Sequence, residues 1–352
     1  MQFSDFFTKD YEPKWDFIDT FPQFEAMKTC KHSERFHGEG SPYNHTRLVV
    51  EAMQEKAKEF DTWRKEALLM AALFHDIAKP VVTEFSQEKQ DWSAPFHAEK
   101  GSKMTRLMIF DWPDIIQREY IVELVRNHMV MHHLLEKENY PKKINRLFSS
   151  KQSYLDSCEL VYCDMKGSIS KLKEDYNDRY QKLLDAANLY QEKDAVIPED
   201  AVNVYLLIGV PGAGKSTYCK EKGLPTFSRD SVREELGYCL PGEKYIGTEK
   251  EEQNVTRTIN RHIFECVKSH KDFCIDNTHL YEKYRESIHS LLQKYAVVYH
   301  YVYVEGPSLA EIIKRRENDG FGTKARDIIV KMLSTLEFPR RYEYDTFEIV
   351  KN

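Results

Sequence analysis

VYLLIGVPGAGKST, residues 204–217, decides the fold of the second half of this chain. Its first five residues are β-branched, aromatic or aliphatic, the make-up of a buried strand. Gly209, Gly212 and Gly214 then break the run, and Lys215-Ser216-Thr217 opens a polar, helical stretch. From Gly209 to Ser216 the spacing is G-x-x-x-x-G-K-S, which builds a phosphate cradle when it lies between a strand and a helix. Glycines let backbone N–H groups converge on phosphate oxygens, and the helix N-terminus adds partial positive charge. The expected nucleotide-binding residues are Gly209, Gly212, Ala213, Gly214, Lys215, Ser216 and Thr217. Lys215 is expected to reach the β- and γ-phosphates and Ser216 to hold Mg²⁺. ATP, or another nucleoside triphosphate, with Mg²⁺ is the implied cofactor.

Outward from this stretch, FCI at 273–275 and VVYHYVYV at 297–304 are further β-rich runs with helical patterns between them. That alternation predicts a parallel α/β sheet. Before residue 200 the period changes. TRLVVEAMQEKAKEF, KEALLMAALFHDIAK and QREYIVELVRNHM repeat apolar residues at three- and four-residue spacing, which is helical. Residues 171–193 read as a last charged helix, with Pro198 in a short linker beyond it. Two domains are expected: all-α over 1–195 and α/β over 202–352.

Composition narrows the function. Of 352 residues, 41% are hydrophobic and 31% charged with mixed sign, which excludes global disorder. No apolar run approaches the ~20 residues that span a bilayer, and the N-terminus lacks a basic segment followed by an apolar one. Seven scattered cysteines without a Cys-x-x-Cys pair argue against a disulfide framework or a cysteine zinc site. A cytoplasmic protein with no membrane partner is expected. Residues 1–200 hold 28 basic and 35 acidic side chains, and 201–352 hold 23 and 22. Binding nucleic acid through overall charge alone is therefore excluded.

Phe227-Ser-Arg229-Asp230-Ser-Val-Arg233 follows a short apolar stretch and opens another helix. A carboxylate at a strand's end can take the proton of an attacking hydroxyl, and an arginine three residues on shares its face and can clamp a phosphate. An N-cap aspartate with a solvated arginine fits the same spacing. Residues 203–340 resemble the polynucleotide 5′-hydroxyl kinase branch of the P-loop phosphotransferases, through this R-D-x-x-R segment and Asp276-Asn-Thr-His279. The resemblance implies that Asp230 is the general base, that Arg233 contacts a phosphate of the acceptor and that Asp276 supports the acceptor pocket. It also implies a lid at Lys314-Arg315-Arg316 through Lys324, with Arg315 or Arg316 on the γ-phosphate. Phe321 stands where some members carry a second lid arginine. Arg229, Arg285, Arg340 and Arg341 are further candidates for an acceptor cleft.

Eight of the thirteen histidines precede residue 134. His45, His75-Asp76, His97, His128 and Asp164 fall on separate predicted helices. A mixed imidazole and carboxylate set suits Mn, Fe, Co, Ni or Zn better than Mg. The ordered set resembles the HD phosphohydrolase superfamily over about residues 30–170. By that resemblance His45, His75, Asp76 and Asp164 hold one divalent metal. Asp76 bridges to a second, held also by His97 and His128, and Lys79 holds substrate phosphate. Phe36-His37-Gly-Glu39 through His45-Thr46 resembles a run in HD domains attached to tRNA-processing nucleotidyltransferases. That implies a substrate contact or acid at His37. Glu39 and Glu99 are candidate orienters of the histidines.

Together the halves resemble bacterial HD-Pnk end-healing enzymes. The resemblance implies metal-dependent removal of 2′,3′-cyclic, 2′- or 3′-phosphate ends by the first domain. It implies ATP-dependent phosphorylation of 5′-OH ends by the second, so that RNA or DNA breaks can pass to a ligase. Three other readings remain open on the residues alone: a sugar or nucleoside kinase fused to an HD nucleotide phosphohydrolase, an HD hydrolase regulated by ATP, and a non-catalytic scaffold, which two complete-looking sites argue against.

Overall fold

The computed structural model describes residues 1–137, 139–170, 175–192, 197–240 and 245–351. The chain divides into two units, Met1–Glu192 and Lys193–Asn352. In the first, the framework is helical: α1 (Pro42–Lys56), α2 (Thr62–Phe74), α3 (His97–Met108), α4 (Ile115–His133), α5 (Lys151–Gly167) and α6 (Tyr176–Ala186). Side-chain caps fix several starts. The Ser41 hydroxyl accepts from Asn44 N–H ahead of Pro42, and Asp61 does the same from Arg64 N–H.

Helix α2 is the centre of this unit. Every residue from Ala67 to Phe74 is buried, and a helix apolar all round belongs inside a core. It packs with Val49, Val50 and Met53 of α1, Ile121 and Leu124 of α4, and Leu160 of α5. Its C-terminus thereby delivers His75 and Asp76 into the interior. Among the described residues a small antiparallel hairpin, β1 (Glu84–Ser86) and β2 (Asp91–Ser93), departs from the all-helical patterning, as does an isolated Phe7–Pro13 bridge. The hairpin joins the Lys79 region to α3 and is too short for its alternation to register as a strand signal. The expected helix over 171–193 begins at Tyr176 and ends at Ala186, followed by a 3₁₀ turn to Leu189. Residues 171–174 and 193 lie outside the described residues.

The second unit carries a five-stranded parallel sheet in the order β4 (Thr226–Phe227), β5 (Phe273–Ile275), β3 (Val202–Ile208), β6 (Val297–Glu305), β7 (Thr346–Lys351). The strand that leads into the glycine run is central: Leu206 pairs with Ile275 on one side and Tyr301 on the other. Such central strands are buried on both faces, which is why 204–208 read as nearly continuous apolar sequence. The crossover helices include α7 (Lys215–Lys222), α8 (Arg229–Glu235), α9 (Glu249–Lys268), α10 (Glu282–Leu292), α11 (Leu309–Arg316) and α12 (Ala325–Ser334). Strand β7 was not apparent in the sequence. It is an edge strand with Glu348 and Lys351 interrupting its apolar residues, and the pairing that defines it is with β6.

Candidate active sites

Five helices, α1 to α5, bring the predicted histidine and aspartate ligands of the first unit together. The His75 Nδ1–H donates to the Ala72 carbonyl at 2.8 Å, that of His97 to Ala94 at 2.7 Å, and that of His128 to Val125 at 2.7 Å. Each ring is thus fixed in one tautomer, with the Nε2 lone pair free to point inward. His97 Nε2 lies 3.3 Å from Asp76 Oδ1 and 3.1 Å from His128 Nε2. His75 Nε2 lies 3.4 Å from Asp76 Oδ2. His45 Nε2 is 2.8 Å from Asp164 Oδ1, and His75 Nε2 is 3.9 Å from the same oxygen.

Two donor groups result, His45–His75–Asp76 and Asp76–His97–His128, each with ligand atoms within 4.8 Å of one another. Asp76 belongs to both. The buried His75 Nε2 has no hydrogen-bond partner among the described residues, and Asp76 Oδ2 has its ion pair with Lys79 but no hydrogen bond. A buried group left in that state is costly, and a divalent cation would satisfy both. The residues therefore fit the metals their pattern suggests.

Electrostatics agree. Burial pushes the Asp76 carboxyl up, but Lys79 and His75 outweigh it and hold it well below the usual range. Burial is likewise overcome at Asp164 by His132 and His45. Burial lowers the pKa of His128 and of His97. At His45 burial is outweighed by Asp164 and Glu39, which lift it to about 9. Two carboxylates held ionised, Asp76 and Asp164, therefore stand ready to attract a cation.

Around this centre, Lys79 Nζ sits 2.6 Å from Asp76 Oδ2, so its ammonium faces the shared carboxylate. Glu39 Oε1 lies 2.8 Å from His45 Nδ1 and 2.9 Å from His37 Nδ1, and its other oxygen accepts from Ile169 N–H. It is placed to orient both rings. Glu99 instead pairs with Lys103 on the surface of α3 and orients no histidine. His132 Nε2 is 3.1 Å from Asp164 Oδ2, on the side away from His45.

Sequence reasoning missed His32. It is buried, both its ring nitrogens lack a hydrogen-bond partner among the described residues, and it stacks on His37 at 4.6 Å and 9°. His32, His37 and Glu39 are close enough to suggest a third metal group. The stacking argues against it: a ligated ion lies in the plane of each imidazole, and two nearly parallel planes at that separation share no point about 2 Å from both rings. His32 has no motif around it, so no sequence signal could have singled it out.

In the second unit the glycine run wraps as the motif requires. Gly209 has φ +152°, and a Cβ there would stand 2.4 Å from the Val304 carbonyl oxygen. Gly214, at φ +108°, is the N-cap of α7, a conformation glycine adopts without strain. Lys215 is buried, its Nζ donating to the Val210 carbonyl at 3.0 Å. Burial lowers its pKa. Ser216 Oγ donates to Asp276 Oδ2 at 2.6 Å. Asp276 therefore lies beside the expected Mg²⁺ residue, whereas the resemblance implied an acceptor-side role.

Asp230 follows the Ser228 cap of α8, and Arg233 Nη1 donates to its Oδ1 at 2.5 Å. Glu252 of α9, which the sequence did not flag, grips both arginines of the segment. Arg233 Nε donates to its Oε1 at 2.8 Å and Arg229 Nε to its Oε2 at 3.0 Å. Of the lid pair, Arg315 Nη1 donates to the Gly212 carbonyl at 3.1 Å, and Arg316 pairs with Asp319. Arg316 is the nearer in effect to Lys215, whose pKa it helps depress. The expectation that Arg285 lines an acceptor cleft is corrected. Its guanidinium is fully buried, bonded to Glu343 at 2.6 and 3.0 Å and to the His279 carbonyl. Arg340 N–H donates to the Glu343 carboxylate, and Arg341 donates to the Tyr344 carbonyl.

Residues 43–188 match the HD domain family, and residues 204–339 match a family described as an AAA domain. The chain thus carries an HD domain followed by a P-loop domain of the matched AAA type. No curated protein matches it. Among solved structures, a Pnkp1/Rnl/Hen1 complex is similar at 18% identity over 33% of this chain and 39% of that one, with a TM-score of 0.29. This chain thus spans about two fifths of that relative's length. The APS kinase CysC of Mycobacterium tuberculosis is similar at 16% identity over 44% of this chain and 90% of that one, TM-score 0.32. A sugar kinase from Janibacter sp. is similar at 20% identity over 43% and 85%, TM-score 0.30. Among the described residues no helix is long and apolar enough to cross a membrane.

Proposed function

We propose that this chain repairs both ends of a broken nucleic-acid strand. The HD domain removes 2′,3′-cyclic, 2′- or 3′-phosphate from one end, and the kinase domain phosphorylates the 5′-OH of the other. The product ends, 3′-OH and 5′-phosphate, are those a ligase joins. The observation that carries this reading is the pairing of opposite chemistries in one chain. Two donor groups that share the Asp76 carboxylate and could hold divalent metal lie in the first unit. In the second, a phosphate cradle is accompanied by an Asp230–Arg233 pair suited to an alcohol acceptor.

In the HD domain, His45, His75, Asp76, Asp164, His97 and His128 would hold one or two divalent transition metals. Such ions, when bound, polarise water and the phosphoester and stabilise the leaving oxygen. Lys79 supplies a cation beside Asp76 for a substrate phosphate oxygen. Glu39 keeps His45 aimed inward and holds His37 at the edge of the site.

In the kinase domain, backbone N–H groups from Gly209 to Thr217 cradle the triphosphate, and Lys215 turns from the Val210 carbonyl to the phosphates. Ser216 and Asp276 would hold Mg²⁺, which when bound neutralises charge on the phosphates. Asp230 accepts the proton of the 5′-hydroxyl, Arg233 aligns that carboxylate and the acceptor phosphate, and Arg316 with Arg315 covers the γ-phosphate.

The test is one incubation with metal, ATP and an RNA bearing 5′-OH and 2′,3′-cyclic ends, repeated with Asp76→Ala and Asp230→Ala. Each variant is expected to lose conversion of one end and keep the other. Loss of 5′ phosphorylation in Asp76→Ala as deep as its loss of 3′ processing would overturn the assignment of separate sites. Turnover of free nucleosides or sugars with none on oligonucleotides would replace it with a small-molecule kinase.

A further inference from the structure

Phe96 carries two costs that folding does not repay. Its backbone is left-handed, φ +58° and ψ +18°, where a bulky L-residue is strained. Its side chain is 79% exposed, so burial does not offset the strain. The left-handed turn itself has a clear purpose. It starts α3 at His97, with Lys100 N–H donating to the Phe96 carbonyl and the His97 ring donating to Ala94. That turn aims His97 Nε2 at Asp76 and His128. Glycine or asparagine would make the same turn with less strain. The turn explains the backbone, and the aromatic ring is left over.

Phe96 is also not alone. Phe85 and Trp92 form a T-shaped cross-strand pair on the β1–β2 hairpin, at 41% and 38% exposure. That hairpin lies in the chain between Lys79 and His97. Asp91 on it accepts from Ser33, next to His32, and Phe36 in the same segment is exposed. Exposed aromatics thus recur on the two chain segments that lead into His37 and His97. Acidic and basic side chains are mixed on these segments (Lys31, Glu34, Arg35, Glu84, Glu88, Lys89, Asp91), so their shared feature is exposed rings rather than one sign of charge. Ring faces without a charge bias suit the stacking of a nucleobase, which every base supports.

We propose that Phe96 is a stacking platform for the nucleobase of the nucleotide whose phosphoester enters the HD centre. This rests on the end-processing reading above and deepens it: the substrate is recognised as a nucleotide, not as a bare phosphoester. Phe96 is a binding residue, one peptide bond from the His97 ligand, with its ring on the solvent side of that turn.

The experiment compares two oligonucleotides with 2′,3′-cyclic ends, one with an ordinary terminal nucleotide and one whose terminal nucleotide lacks its base. The wild-type chain, loaded with metal, is expected to show a lower KM for the base-bearing end. Phe96→Ala is expected to shrink that ratio roughly ten-fold, the size of one base–aromatic stack. Phe96→Trp is expected to keep it. Phe96→Gly, which relieves the backbone, is expected to lose the ratio while melting no lower than wild type. An unchanged ratio in Phe96→Ala overturns the proposal. So does a fall in kcat that is equal on both substrates, because that would mean the ring merely holds His97 in place. If the wild type binds metal but processes neither oligonucleotide, the end-processing reading fails first and takes the platform with it.

Discussion

The Nε2 atoms of His97 and His128 face each other across 3.1 Å, while each ring gives its Nδ1–H to a main-chain carbonyl. Neither nitrogen has a proton to share, so the contact sets lone pair against lone pair. A cation between them turns that repulsion into two bonds. Chelation is therefore expected to lower the melting temperature of the first unit, and added Mn²⁺ or Zn²⁺ to restore it. Tryptophan fluorescence reads this unit alone, because Trp15, Trp63, Trp92 and Trp112 all lie within it. His128→Ala is expected to lose about one equivalent of bound metal by elemental analysis, and Asp76→Ala to lose more. Equal metal content in wild type and Asp76→Ala would contradict a shared carboxylate.

A second prediction concerns helix spacing. Gly167 closes α5, and a Cβ there would stand 2.9 Å from the Val49 backbone nitrogen and 2.7 Å from its Cγ2. Backbone cannot yield as a flexible side chain can. Gly167→Ala is expected to push α5 away from α1 and so part Asp164 from His45, now 2.8 Å apart. We expect a stability loss of about 1–3 kcal/mol, as overpacked sites show, with weakened metal binding and unchanged kinase activity. Denaturant unfolding with metal titration would check it.

Glu252 invites a third. It holds Arg229 and Arg233 together and so fixes the arginine that aligns Asp230. Glu252→Ala frees both guanidinium groups. The affinity for ATP, set at the glycine run, is expected to stay as it is. kcat for the acceptor should fall about ten-fold and its KM should shift, since misplaced general bases cost on the order of 10²-fold at most when the base itself remains. A matched loss of ATP binding would show that Glu252 supports the whole unit rather than the acceptor side.

These cases also show what the sequence could carry. The glycine run was legible because its chemistry is local: consecutive residues must make one turn, and Gly209 can bear no Cβ against Val304. The HD ligands were legible as an ordered set, yet the set alone did not show which atoms converge. Convergence comes from α2 being buried on all sides, a tertiary fact. Asp276 was found, but its partner Ser216 lies sixty residues away in sequence, beyond the neighbouring strand β3. Glu252 and His32 sit in no motif at all. Arg285 shows the reverse error: in sequence it looked like a free cation, and the fold spends it on Glu343.

The last prediction concerns pH and the floor of the kinase site. His279 is buried, with its Nδ1–H on the Leu207 carbonyl at 2.8 Å, and burial lowers its pKa from 6.5 to about 4. The unfolded chain takes up this proton near pH 6.5 while the folded chain still refuses it. Stability from His279 is therefore full above pH 6.5 and lost as pH falls toward 4, by up to roughly 3 kcal/mol. His279→Asn can keep the donor to Leu207 and tolerates the left-handed backbone at φ +41°, but it has no proton to gain. Urea unfolding of the full chain, followed by hydrogen exchange in the Val202–Ile208 segment, should show wild type weakening between pH 6.5 and 4.5. The variant should show a flatter profile over the same range. Parallel profiles would mean that another group controls the acid limb.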